Sequence, residues 1–265
     1  MNRNILVTGA SRGIGAAIAL AFAAEGDNVG INYRFDESGA KETCRKAADL
    51  GVKARVYQAD VGNSSDVGKM FEAYLEDFGS IDVLVNNAGG GLKIPEGRFE
   101  DMPLSYWDEM VALNLNAAAY CSSHAVRDMV KNKKGGAIIN ISSVHSVITY
   151  VKRKTFPYCA AKAGLNMLTK TMGVDVIRHN IRVNAVAPGF ISTTATTRYN
   201  EEELDAFLRK IPAGRLGKTG DITPLVLFLA DPEKSGFIVG QTFVVDGGQS
   251  IDGTIDYMLQ EESNG

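Results

Sequence analysis

Short apolar runs alternate with longer amphipathic stretches along most of the chain. Residues 4–8 (NILVT) form a continuous apolar run of strand length, and the Ala-rich stretch 14–25 that follows has helical length. The alternation continues with strands predicted at 28–33, 53–58, 82–86 (DVLVN), 137–141 (AIINI), 181–187 and 242–245. Between them the pattern predicts helices at 36–50 with Asp36 as cap, 64–78, about 103–131, about 155–178, 201–210 and 221–230. Apolar strands each followed by a helix imply parallel crossovers and burial on both sheet faces. The expected fold is α/β: a doubly wound seven-stranded parallel sheet with helices on both faces, of the Rossmann kind, in a single domain.

One stretch breaks the rhythm. After the sixth strand comes the Thr-rich STTATTRYN, residues 192–200. We expect a lid over 190–215, carrying Thr194, Thr197, Tyr199 and Phe207, within a dinucleotide-binding catalytic domain at 1–249. Residues 250–265 read as a polar, acidic C-terminal tail.

Composition narrows the class. The 265 residues carry a net charge of −3, which argues against a nucleic-acid partner because that needs a basic face. No apolar run approaches the ~20 residues of a membrane span, and the first residues lack a signal-peptide pattern. Cys44, Cys121 and Cys159 are odd in number and widely spaced, with no CxxC and no Cys/His ligand cluster. The expectation is a cytoplasmic protein with reduced thiols and no metal.

The loop between the first strand and helix is TGASRGIG, residues 8–15. Gly9 permits a sharp turn, Gly13 lets backbone approach a pyrophosphate, and Gly15 allows close helix packing. The helix N-terminus then offers free N–H groups and partial positive charge to the anion. Gly9, Ser11, Arg12, Gly13, Ile14 and Gly15 are therefore candidate cofactor contacts. The second strand ends in Tyr33-Arg34, with no acid to hold a ribose 2′-hydroxyl. Arg12 and Arg34 are placed to meet a 2′-phosphate, which favours NADP over NAD. Asp36 keeps the NAD alternative open but reads first as a helix cap.

Tyr158 and Lys162 lie four apart on a predicted helix, hence on one face. A neighbouring ammonium and a cationic nicotinamide both favour phenolate, so the Tyr158 pKa is expected to fall. Ser143 lies just past strand five, where open α/β sheets place ligand contacts, and its hydroxyl can stabilise charge on a substrate oxygen.

Taken in order, TGASRGIG (8–15), NNAG (86–89), Asn114, SSV (142–144), YCAAK (158–162) and PGFIST (188–193) resemble the short-chain dehydrogenase/reductase family, over about residues 4–249. The resemblance implies a catalytic set of Asn114, Ser143, Tyr158 and Lys162, and it selects Ser143 over Ser142. It implies that Lys162 also holds the nicotinamide ribose and that Asn114 positions a water in a proton relay. It further implies adenine contacts from Asp60 and Val61, and adenosine-side contacts from Asn86, Asn87, Ala88 and Gly89. Pro188, Gly189, Ile191 and Thr193 would contact the nicotinamide carboxamide. A homotetramer built through 103–131, 155–178 and the C-terminal strand region is implied as well.

The function expected is hydride transfer between NADP(H) and a carbonyl or secondary alcohol. PAGRLG (212–217) with PGFIST is similar to reductases of 3-oxoacyl carrier-protein thioesters, whereas NYR (32–34) and SSVH (142–145) are similar to glucose-dehydrogenase-like enzymes. Both substrate classes stay open, as does a silent dinucleotide sensor, although a sensor has no need of the four-residue set. From Ser143 to Tyr158 the spacing is 15 residues, about two more than is usual in that family, and the extra length falls in 147–156. Its basic run (Lys152, Arg153, Lys154) reads either as solvated surface or as an attractor for a phosphorylated or carrier-bound acidic substrate. His145 is expected as a pocket wall, Cys159 as a packed residue turned from the chemistry, and Trp107 as an apolar anchor. His124 and His179 are read as structural.

Overall fold

The computed structural model describes residues 2–90, 99–149, 155–193 and 200–251. Seven strands are present: β1 (Asn4–Val7), β2 (Asn28–Tyr33), β3 (Ala54–Gln58), β4 (Val83–Asn86), β5 (Gly136–Ile141), β6 (Ile181–Pro188) and β7 (Thr242–Val245). They form one sheet in the order β3-β2-β1-β4-β5-β6-β7, and every neighbouring pair is parallel. The chain winds outward from β1 to β3, then returns to lay β4 on the other side of β1. This reversal opens a crevice at the carboxyl ends of β1 and β4, the place where such sheets bind ligands.

The helices are α1 (Gly13–Ala24), α2 (Glu37–Asp49), α3 (Ser64–Phe78), α4 (Leu104–Val111), α5 (Ala117–Asn132), α6 (Phe156–Val176), α7 (Glu201–Leu208), α8 (Thr219–Ala230) and α9 (Pro232–Ser235). Strand side chains alternate between the faces. Ile5, Val7, Val83, Val85, Ile139 and Ile141 join α1, α2 and α8 in one core. Leu6, Leu84 and Ile138 join α3, α5 and the end of α6 in the other. Both faces are covered, which is why the central strands β1 and β4 are almost wholly apolar.

Several element bounds differ from expectation, each for a local reason. The single helix expected at 103–131 is α4, a π-helical turn at Ala112–Asn116, and α5. Such turns admit an extra residue and concentrate at functional sites; this one carries Asn114. Trp107 is not the anchor of this helix. Tyr106 and Met110, one turn apart, take the buried face and leave Trp107 half-buried. The sixth strand runs one residue further, to Pro188, and α6 ends in a short 3-10 turn at Ile177–His179. Asp36 does cap α2, accepting from the Gly39 N–H at 3.0 Å.

Of the segment expected as a lid, 194–199, with Thr194, Thr197 and Tyr199, lies outside the described residues. Its flanks are fastened: Phe207 of α7 stacks on Phe190 at 4.2 Å between ring centres, and Ile211 is buried. The basic run at 152–154 and the tail from 252 onward also lie outside the described residues. Among the described residues, no helix is long and apolar enough to cross a membrane.

Candidate active site

Three loops meet above the carboxyl ends of β1, β4 and β6. In the first, Gly9 has φ +62° and Gly13 φ +60°. A Cβ on Gly9 would lie 2.8 Å from Ala88 Cα, so the loop after β4 rests against Gly9 only because it lacks one. Asn87 ties the two together. Its Nδ2 donates to Thr8 O (2.9 Å) and Gly9 O (3.0 Å), and the Asn87 and Ala88 N–H groups both donate to Thr8 Oγ1 at 3.0 Å. From β2, Asn32 accepts from the Gly9 N–H at 3.1 Å and donates to Tyr57 O and Ala59 O.

Beyond that junction Ser11 and Arg12 form the loop's apex, and Gly13, Ile14 and Gly15 open α1. Arg12 gives α1 no side-chain cap, and its first turn holds no acid. The first N–H groups of a helix lack intrahelical partners, so this end is left open to an anion. From the third loop, Thr193 arrives over the first: a Cβ on Gly13 would sit 3.6 Å from Thr193 Cγ2. Pro188 ends β6, the Gly189 N–H donates to Val245 O (2.9 Å), and Ile191 is buried and bridged to Gly217. The glycine-lined cradle, with no acid in the first turn of α1, fits the pyrophosphate of a dinucleotide; Asp36 stands at its rim, hydrogen-bonded to Ser11.

At the outer end of the crevice Tyr33 is buried at the tip of β2, and Arg34 follows it, half exposed. The Arg34 guanidinium lies 3.0 Å from Asp60 Oδ2 and 4.4 Å above the centre of the Phe35 ring. Asp60 Oδ1 accepts from the Gly62 N–H at 3.0 Å, and Val61 is buried.

At the inner end, Tyr158 and Lys162 face β5 from α6. Lys162 is buried, with Nζ donating to Ile141 O at 2.8 Å and lying 5.8 Å from the Tyr158 ring centre. Burial pulls its ammonium down to a pKa of about 8. The Ser143 hydroxyl accepts from the His145 N–H at 3.2 Å and hydrogen-bonds Tyr158. One of its two lone pairs takes that amide, and its proton is available to the Tyr158 oxygen or a substrate oxygen. The expected fall of the Tyr158 pKa drew on a cationic nicotinamide as well as on Lys162; the protein's own groups act in the opposite direction. Burial pushes the phenol up from its ordinary value, and the Ser143 hydrogen bond only partly opposes it.

Asn114 sits where the π turn meets this site. Its Oδ1 accepts from the Gly90 N–H at 2.9 Å, and its Nδ2 donates to Met110 O and Gly90 O. A Cβ on Gly89 would fall 2.8 Å from Asn114 Oδ1 and 3.2 Å from Lys162 Nζ. Gly89 thus marks a small space that both polar groups border. His145 is edge-on to the Tyr158 ring, 5.7 Å between centres, as a wall of the site. Ser142 is directed elsewhere, to Asn166 Oδ1 at 2.7 Å. Cys159 is half-buried with Sγ 3.3 Å from Thr155 Oγ1.

Some contributors to the site were not singled out from sequence. Thr8, Asn32 and Asn166 carry hydrogen bonds that hold its loops. Ser122, Asn140 and Thr169 do so in a buried chain headed by Asn86, itself expected on the adenosine side: Asn86 Nδ2 donates to Ser122 Oγ (2.9 Å) and Asn140 Oδ1 (2.8 Å), and Asn140 Nδ2 to Thr169 Oγ1 (2.8 Å). The usable signal was polarity inside apolar strands: an Asn within NVGINY and another within AIINI.

A doubly wound sheet with an anion cradle at its switch point, and a Tyr, Lys and Ser beside it, defines a dinucleotide-dependent oxidoreductase. The chain belongs to the short-chain dehydrogenase/reductase family, whose reactions are on CH–OH groups. Residues 9–250 match the family described as Enoyl-(Acyl carrier protein) reductase. The chain is 39% identical over 243 residues to the Uncharacterized oxidoreductase YohF of Escherichia coli (strain K12), covering 92% of this chain and 94% of that protein. It is 38% identical to the 3-oxoacyl-(acyl-carrier-protein) reductase FabG of Staphylococcus epidermidis, with 94% and 99% covered. Among solved structures it is similar to the acetoin dehydrogenase YohF from Salmonella typhimurium, with TM-score 0.85, 36% identity, and 96% and 98% covered.

Proposed function

We propose that this protein reduces a carbonyl to a secondary alcohol with NADPH, and runs the reverse with NADP. The observation that carries this reading is the Ser143–Tyr158–Lys162 cluster, set at the carboxyl edge of β5 and opening toward the cradle of Gly9, Gly13 and Gly15. Bound in that cradle, the nicotinamide would supply or accept the hydride. The chain's own part is proton management. Ser143 donates a hydrogen bond to the substrate oxygen, and Tyr158 passes its proton to that oxygen as negative charge develops there. A phenol kept protonated by burial suits the reduction direction. Lys162 supplies the nearby positive charge, and Asn114 borders the space at Gly89 through which a water could resupply the proton.

The preference for NADP rests on Arg34 and Arg12. The Arg34–Asp60 ion pair is half exposed, so it is worth about 0–1 kcal/mol and yields readily to a phosphate. Arg34→Asp should therefore weaken NADPH binding ~10- to 100-fold and leave NADH binding nearly unchanged, as calorimetric titration of both cofactors would read. Equal affinities before and after would remove Arg34 from the 2′-phosphate site.

The first substrate reading is a 3-oxoacyl thioester, supported by PAGRLG (212–217) and by the likeness to FabG. The likeness to a solved acetoin dehydrogenase favours a second, a small hydroxyketone or diketone. A panel of 3-oxoacyl thioesters, diacetyl, acetoin and glucose, followed by NADPH absorbance, decides between them. A panel with no turnover at all would sink the reading. We place the protein in the cytoplasm, as a homotetramer without nucleic-acid or membrane partners. Exposed Leu104 on α4 and Met167 and Val174 on α6 supply apolar surface for the assembly.

A further inference from the structure

One side chain of α6 reaches the turn that carries Ser143 at two points. Asn166 lies four residues past Lys162 and eight past Tyr158, on the helix face turned to β5. Its Oδ1 accepts from the Ser142 hydroxyl at 2.7 Å, and its Nδ2 donates to Ser146 Oγ at 2.8 Å. The Ser146 hydroxyl in turn donates to the carbonyl of Ser143 at 2.6 Å. The Ser146 N–H adds a second bond to the same carbonyl at 2.9 Å. Asn166 thus grips the turn on both sides of Ser143: through Ser142 before it, and through Ser146 to its own carbonyl.

We propose that Asn166 is a positioning residue. It sets the alignment of the Ser143 hydroxyl with the Tyr158 hydroxyl by bridging Ser142 and Ser146 to the helix that bears Tyr158. This inference rests on the carbonyl-reduction reading above. Every atom of an amide is used: the oxygen can only accept and the nitrogen only donate, and the two serines present the matching donor and acceptor. The Ser143 side chain itself accepts from the His145 N–H, a contact within the same short turn, and meets the Tyr158 hydroxyl that it has to align with; the Ser142 hydroxyl also lies 3.4 Å from Lys162 O. The Asn166 bridge braces that turn before and after Ser143 against the helix carrying the proton donor, and a misplacement of order 1 Å at such a group carries a large rate penalty.

The arrangement also fixes which way the chain of hydrogen bonds runs. Asn166 donates to Ser146, which donates to Ser143 O. Removing either member breaks one path. Asn166 and Ser146 therefore act as one unit, and their effects should not add.

The test measures kcat and KM in both directions against pH for Asn166→Ala, Ser146→Ala, the double variant and Ser146→Thr, with the substrate that turns over best in the panel. Tyr158→Phe is the control, and NADPH affinity is measured by calorimetry for each. We expect Asn166→Ala and Ser146→Ala each to lower kcat ~5- to 10-fold with NADPH affinity unchanged. The double variant should lie within about twofold of the worse single one. The acid limb of alcohol oxidation, which needs the phenolate, should move up by about half a pH unit as the Ser143 hydrogen bond loosens. Ser146→Thr, which keeps the hydroxyl, should restore both rate and pH profile. Ser146 lies on a half-buried turn, so its truncation leaves a folded protein to measure even where Asn166→Ala does not. Unchanged kcat and pH profile in Ser146→Ala, or losses that multiply in the double variant, would overturn the proposal. Should Tyr158→Phe keep full turnover, the carbonyl-reduction mechanism itself fails. If that control is inactive while the Asn166 and Ser146 variants are untouched, the positioning role alone fails.

Discussion

Tyr158→Phe should bind NADPH as the parent does and lose turnover by ~10² or more. The change deletes one oxygen and keeps the ring. The T-shaped contact with His145 survives, and so does the ring face 5.8 Å from Lys162 Nζ. What goes is the one acidic proton within reach of Ser143. Because burial holds that phenol above its ordinary pKa, it stays protonated through neutral pH and is ready to donate during reduction. The same burial makes it a reluctant base. Alcohol oxidation by the parent should therefore rise with pH well past neutrality, while ketone reduction stays level until the phenol ionises. Stopped-flow mixing with pre-bound NADPH separates the steps: binding amplitude should persist in Tyr158→Phe and the hydride-transfer phase should vanish. A variant with unchanged single-turnover rate would remove Tyr158 from the chemistry.

The fold was legible because its pattern is redundant. Central strands such as β1 and β4 are largely apolar, since a sheet covered on both faces leaves them no polar side to show, while the edge strand β3 leaves Arg55 and Gln58 exposed. The phosphate loop and the Tyr158/Lys162 pair were legible for another reason: backbone approach demands glycine, and a spacing of four demands one helix face. What the pattern could not show is reciprocity. Ser142 and Ser143 are adjacent and chemically identical. Their separation into one residue tied to Asn166 and one facing Tyr158 depends on the direction in which the chain leaves β5. Asn114 likewise reads as a mid-helix residue until the π turn redirects it to Gly90. The Tyr158 pKa is a similar case: spacing on the helix shows that Lys162 is near, while the direction set by the protein's own groups depends on desolvation.

That burial makes Lys162 a cost to the fold. Its ammonium is pulled from an ordinary 10.5 to about 8 by desolvation, with one described hydrogen bond, to Ile141 O, in return. The linkage has a definite sign. Below about pH 8 both folded and unfolded chains carry the proton, so the penalty is present in full. Between about 8 and 10.5 the folded protein gives up the proton first, the unfolded chain binds more protons, and stability must rise with pH. The span corresponds to about 3 kcal/mol. Other buried phenols act oppositely only as they approach their own ionisation: Tyr57, Tyr74 and Tyr158 are all raised, so they erode stability from about pH 10 upward. Lys162→Met isolates the effect. Without cofactor it should be more stable than the parent at pH 7 by about 1 kcal/mol, since the lost penalty outweighs the stranded Ile141 carbonyl. That advantage should shrink and reverse between pH 8 and 10, while turnover is lost throughout. Denaturant melts of both proteins across this range supply the measurement. A stability difference that does not vary with pH would mean that the Lys162 pKa is the same in the folded and unfolded chain, so that burial imposes no penalty on its ammonium. If the difference varies as expected, the residue is kept at the expense of stability, which is the pattern of a group retained for function.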